Sequence, residues 1–111
     1  MTIANEISTR LTDFKNLCDN HNIKYLYAFG SSVSGNFDPN SSDIDLLVEI
    51  ESSDPLDRGE LLMSLWDKFE GFFNRKVDLL TDSSIRNPYL RKSIDSSKVL
   101  IYDGEHKKVL I

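Results

Sequence analysis

Residues 43–50, DIDLLVEI, decide the fold. Ile44, Leu46, Val48 and Ile50 are aliphatic at every second position, the pattern of a strand that buries one face. Asp43 and Asp45 alternate with them, so both carboxylates point to the opposite face, with Cα atoms about 6.6 Å apart. That spacing lets two carboxylates converge on one or two small cations. It also fits a solvated strand end with two surface aspartates, and Asp-x-Asp alone does not separate the two readings.

Working outward, 25–29 (YLYAF) is a short aromatic-rich run bounded by Asn22 and Gly30, and predicts a strand. Between the two strands, Ser31 to Ser34 suits a short helical turn, and Asn36 to Ser42 reads as a loop. Asp38 there is a turn residue before Pro39. Upstream, Ile3, Ile7, Leu11, Phe14 and Leu17 recur at helical spacing and predict one amphipathic helix over the first twenty residues. Downstream, 56–73 carries Leu62, Leu65, Trp66, Phe69 and Phe73 on one face, a second helix. Strands follow at Lys76 to Leu80 and Lys98 to Tyr102. Between them Asn87-Pro88 opens a short helix as N-cap and first helical residue. Asp103-Gly104 is a hairpin turn, so Lys107 to Ile111 pairs back as a fifth strand. Strands mixed with helices predict an α/β (α+β) sandwich, a sheet of four to five strands with helices packed on it.

Asp78 changes the weight of the Asp-x-Asp pair. It sits in mid-strand within KVDLL, where strand propensity disfavours a carboxylate. Beside the first two aspartates it completes a hard, oxygen-rich site suited to Mg²⁺. Two such ions clamp the attacking and leaving oxygens of a phosphoryl displacement. Gly30-Ser31 lies just after the first strand, where main-chain N–H groups and a hydroxyl suit an anion.

These residues resemble the DNA polymerase β-type nucleotidyltransferase superfamily, and the short chain most resembles its minimal nucleotidyltransferase (MNT) group. Gly30-Ser31, Asp43-x-Asp45 and Asp78 carry the resemblance, which extends over nearly the whole chain as a single domain, 1–111. It implies a palm-like mixed β-sheet. It implies that Asp43, Asp45 and Asp78 bind two Mg²⁺ ions, with Asp78 helping to deprotonate the acceptor. Gly30 and Ser31 would then hold the β- and γ-phosphates of ATP or another NTP. It further implies transfer of a nucleoside monophosphate, chiefly AMP, to a hydroxyl of a partner protein, with a HEPN-domain toxin as that partner and the chain as antitoxin. The alternatives are an antitoxin that neutralises by contact without catalysis, and transfer to a small molecule. A chain this short has little room for an acceptor domain, so a partner or second subunit would supply that pocket. Relatives often carry arginines after Gly-Ser, whereas this chain reads Ser32-Val33-Ser34-Gly35. Eleven residues separate Ser31 from Asp43, a slightly long spacer for the group. Lys76, Arg75 and Arg91 are the candidates to replace the missing charge.

The remaining residues narrow the function classes. Net charge is -5, the reverse of a general nucleic-acid binder. A single cysteine, Cys18, allows no internal disulfide and fits a cytoplasmic setting; it reads as packing. The first residues have no apolar signal region, and no run reaches the roughly 20 apolar residues of a membrane span. His21 and His106 have no partners at zinc spacing. Glu49 lies about 13 Å along the strand from Asp45 and reads as solvated. Phe72 joins Trp66, Phe69 and Phe73 in the expected core. Arg91-Lys92 reads as a solvated helix face. Tyr25, Tyr27, Tyr89 and Tyr102 are equivalent candidates for self-modification.

Overall fold

A computed structural model describes residues 2–33 and 43–111. The loop expected at 36–42, with Asp38, lies outside the described residues, as do Ser34 and Gly35. The elements run α1 (Thr2–Thr9), α2 (Leu11–Asn20), β1 (Ile23–Ala28), a 3₁₀ turn (Gly30–Ser32), β2 (Ile44–Ile50) and α3 (Pro55–Phe73). They continue with β3 (Val77–Leu80), a second 3₁₀ turn (Asp82–Ser84), α4 (Pro88–Ser97), β4 (Val99–Asp103) and β5 (Lys108–Val109).

The strands form one mixed sheet in the order β3-β2-β1-β4-β5. Only β2 and β3 are parallel, as the intervening α3 requires, since a crossover helix returns the chain in the same direction. The even residues of β2 behave as their alternation predicts: Ile44, Leu46 and Val48 are buried with Leu26, Val77 and Leu79 against the helices. Phe14 of α2 stacks on Phe69 of α3 at 5.9 Å and meets Phe72 at 5.5 Å, which ties these helices together. The opposite face is partly covered too. Ile94 of α4, with Ile85, closes over Leu47 and Phe29 in a second, smaller cluster.

The single helix expected over the first twenty residues is two helices. Arg10 leaves helical geometry at φ −136° and ψ 48°. Its guanidinium donates to the Phe72 carbonyl and lies 4.0 Å over the Phe72 ring. A tertiary contact outweighs helical continuity there. Local end signals hold elsewhere. Asp54 and Asn87 cap α3 and α4 through their side chains, each ahead of a proline, and Asn74 ends α3 in the left-handed region. The fifth strand exists but is only two residues long.

Most of the incidental residues settle into structural roles. His21 bridges the Leu17 carbonyl and the Ser64 hydroxyl, at 2.7 and 2.9 Å. His106 pairs with Asp103 at 2.7 Å. Cys18 is fully buried, and burial pushes its thiol far above the usual range. Tyr102 is buried and donates to Asp19, whereas Tyr89 stands 84% exposed. Among the described residues, no helix is long and apolar enough to cross a membrane.

The β4–β5 hairpin depends on a close backbone approach. A Cβ on Gly104 would stand 1.8 Å from the Ile23 carbonyl oxygen. We expect Gly104→Ala to cost about 2–4 kcal/mol in denaturant unfolding, because backbone rather than a flexible side chain must move. Gly71 lies on the exposed face of α3, and a methyl group there would meet nothing within 4 Å. Gly71→Ala should therefore stabilise by about 0.5–1 kcal/mol in the same measurement.

Candidate active site

The parallel ladder between β2 and β3 sets Asp45 directly opposite Asp78. Both side chains emerge on the face away from α1, α2 and α3, because their neighbours Ile44, Leu46, Val77 and Leu79 are buried on the other side. Both are half-buried. The Asp45 carboxyl is pushed up to about 6, first by burial, then by the charges of Asp78 and Asp43, and by a hydrogen bond to Asp78. Two carboxylates can bond each other only by sharing a proton. The pair therefore demands positive charge, as proton or cation.

Asp43 immediately precedes β2 and flanks this pair. Its Oδ2 lies 3.9 Å from the Lys76 ammonium, an open contact at the rim. Among the described residues, no three His, Cys, Asp or Glu side chains already converge tightly enough to grip a metal ion. The arrangement is a close pair with a third carboxylate beside it. Its chemistry fits a divalent cation: the donors are hard oxygens, and their mutual repulsion is relieved when a cation replaces the shared proton.

The turn after β1 is stitched to the same strand. The Phe29 N–H donates to the Asp45 carbonyl at 3.1 Å. The Asp45 N–H donates to the Ser32 hydroxyl oxygen at 2.9 Å, and Ser32 is fully buried. Gly30 adopts φ +62°, and a Cβ there would meet Asp45 Oδ2 at 2.7 Å. Gly30 is thus required twice, by backbone conformation and by the carboxylate against it. Ser31, half-buried, lies between Gly30 and Ser32 in the turn. Sequence reasoning singled out Gly30 and Ser31 and missed Ser32. Nothing in a Ser-Ser dipeptide announces which hydroxyl turns inward to hold a strand.

Of the candidate compensating cations, Lys76 pairs with a carboxylate of the site, Asp43. Arg75 pairs with Glu6 of α1 at 2.9 Å, and Arg91 pairs with Asp82 at 2.9 Å. Beyond the aspartates, the ladder with β3 stops at Leu47, opposite Leu80. A cleft of about 670 Å³ opens from there, lined by Tyr27, Leu47, Glu49, Arg58, Thr81 and Lys98 among others. Glu49 is exposed as expected, but on the wall of this cleft.

Comparison with known proteins shows the family and the fold. Residues 14–101 match the model of the nucleotidyltransferase domain family. "Putative protein adenylyltransferase MJ1379" of Methanocaldococcus jannaschii is 33% identical over 102 residues, covering 91% of this chain and all of that protein. A solved "putative minimal nucleotidyltransferase" is 28% identical with a TM-score of 0.58, covering 84% of this chain and 90% of that one. A chain in the complex of a tri-AMPylated Shewanella oneidensis HEPN toxin with MNT antitoxin shares the fold at 21% identity and a TM-score of 0.50. That match covers 96% of this chain and 76% of that one.

The raised Asp45 carboxyl sets a pH dependence. Its folded value exceeds the ordinary 3.8, so its stabilising contribution is full below that value and is lost as pH rises through about 6. In chelator, melting temperature should therefore fall between pH 5 and 7. Asp45→Asn should flatten that fall and raise the pH 7.5 melting temperature by about 4 °C, the worth of about 1 kcal/mol for a half-exposed group. Mg²⁺ should raise the melting temperature of the parent protein at pH 7.5 and leave the variant unmoved.

The turn makes a second expectation. Ser32→Ala leaves the Asp45 N–H without its acceptor and should cost about 1–3 kcal/mol in chemical denaturation. Gly30→Ala should cost at least as much, and an ion added in excess should not restore it, because the new methyl occupies the space of the Asp45 carboxylate.

Proposed function

We propose that this chain, which belongs to the nucleotidyltransferase domain family in its minimal form, transfers AMP from ATP to a hydroxyl of a partner protein. The observation that carries the proposal is the in-register Asp45–Asp78 pair, held against the Gly30 turn. The Gly30 turn lies against Asp45, where a Cβ on Gly30 would stand 2.7 Å from its Oδ2.

The acceptor oxygen attacks the α-phosphorus, the bond from that phosphorus to the β-bridging oxygen breaks, and pyrophosphate leaves. Asp78 takes the hydroxyl proton on its carboxylate as the new P–O bond forms. Asp43 and Asp45 hold the cation-binding position, and Gly30 and Ser31 receive the β- and γ-phosphates. Two bound Mg²⁺ ions would supply charge neutralisation on the attacking and leaving oxygens. The contribution of the chain is positioning, as in phosphoryl transfer generally.

A HEPN toxin is the partner we favour, with this chain as its antitoxin in the cytoplasm. The likeness to a chain from an MNT–HEPN complex whose toxin carries AMP supports that choice. The similarity to a protein named as a putative protein adenylyltransferase supports AMP as the group transferred and a protein as acceptor. A second reading, neutralisation by contact alone, is favoured by one observation. Ser32, which stands where relatives often carry an arginine, is buried under Asp45 and cannot reach a ligand.

Incubation with labelled ATP, CTP, GTP and UTP in Mg²⁺, with and without a purified HEPN-domain protein, tests the proposal. We expect label from ATP on the partner with the parent protein, and a loss of at least about 10²-fold in rate with Asp43→Asn/Asp45→Asn. Absence of transfer by the parent, with partner activity still silenced by the double variant, would replace the enzymatic reading with neutralisation by contact.

A further inference from the structure

We infer that Lys76 binds the phosphate groups of the nucleotide donor, supplying from β3 the positive charge that the turn after β1 lacks. The inference rests on the nucleotidyl-transfer reading above and names the residue that meets the anion. A triphosphate brings several negative charges to a site that already holds three carboxylates. Metal ions offset part of this, and a fixed cation at the rim is the usual complement.

The sequence limits where such a cation can come from. Residues 33–42 contain no lysine or arginine, so the segment joining the turn to β2 cannot supply one. Arg75, next in sequence, is engaged elsewhere: it bonds Glu6 of α1 at 2.9 Å, with both side chains mostly buried. Arg91 donates to the carboxylate of Asp82 and to the carbonyls of Asp82 and Ile85, which fixes it on α4.

Lys76 differs in both backbone and side chain. Its carbonyl accepts the Ile44 N–H at 3.0 Å, which pins its Cα beside the start of β2. Its ammonium stands 3.9 Å from Asp43 Oδ2, and its side chain is 68% exposed. An ion pair so long and so exposed is weakly held. When Asp43 turns to a cation, the ammonium loses little by leaving it and remains within reach of the site mouth. A lysine suits this role, since it meets phosphate as a mobile point charge rather than through a fixed fork.

Equilibrium titration separates this role from a merely structural one. The parent, Lys76→Met and Lys76→Arg are titrated with the non-hydrolysable ATP analogue AMP-PNP in Mg²⁺, and separately with Mn²⁺ alone. We expect Lys76→Met to weaken AMP-PNP binding about tenfold, the worth of one partly exposed charge-assisted contact. Lys76→Arg should restore most of it. Mn²⁺ binding by Lys76→Met should be unchanged or tighter, because the ammonium no longer competes for Asp43. Unchanged AMP-PNP affinity in Lys76→Met overturns the inference and leaves the transfer reading standing. Parallel loss of Mn²⁺ and AMP-PNP binding also overturns it, assigning Lys76 to holding Asp43. A parent protein that binds no AMP-PNP overturns both.

Discussion

Two like charges side by side on neighbouring parallel strands are the constraint from which this structure is organised. Asp45 and Asp78 repel, and their half-burial denies them full hydration. Everything close to them serves to keep them there. The buried alternation of Ile44, Leu46, Val77 and Leu79 fixes the strand faces. The hydroxyl of Ser32 holds the Asp45 main chain, and the absence of a side chain at Gly30 leaves room for its carboxylate. An arrangement that costs stability in the empty protein makes sense where a cation restores it. Local rules are most often broken at functional sites.

Much of this was legible in the chain. The period-two pattern of 43–50 placed the aspartates on one face, and Asp78 stood out because a mid-strand carboxylate has no packing purpose. Capping residues marked the starts of α3 and α4 because cap chemistry is local. What escaped was tertiary. The break at Arg10 arises from a carbonyl and a ring on α3, far along the sequence. The burial of Leu47 under α4 depends on where that helix lands, so β2 is covered on more of its second face than alternation alone predicts. Ser32 escaped for the same reason: its partner is the main chain of Asp45, and a main-chain partner leaves no trace in side-chain pattern.

Charge is distributed to match. The chain is acidic overall, and at the site the carboxylates meet one nearby ammonium rather than an arginine cluster. Arg75 and Arg91 serve the fold instead, one clamping α1 to the end of α3 and β3, the other tying α4 to the turn after β3. Ser32, in the turn after β1, is an internal support for β2.

The β2–α3–β3 crossover has a consequence for how the protein comes into being. Asp45 and Asp78 become neighbours only when nineteen residues of α3 have folded back across the sheet. Such non-local closure is among the slower events in chain folding. During synthesis, Asp43 and Asp45 emerge first and stand as an ordinary strand end, without the repulsion or the cation demand of the finished pair. The carboxylate pair is completed late, by topology, once the helix has docked. A truncated or misdocked chain keeps Asp43 and Asp45 but lacks the neighbour that Asp78 provides, so the close carboxylate pair exists only in the finished fold.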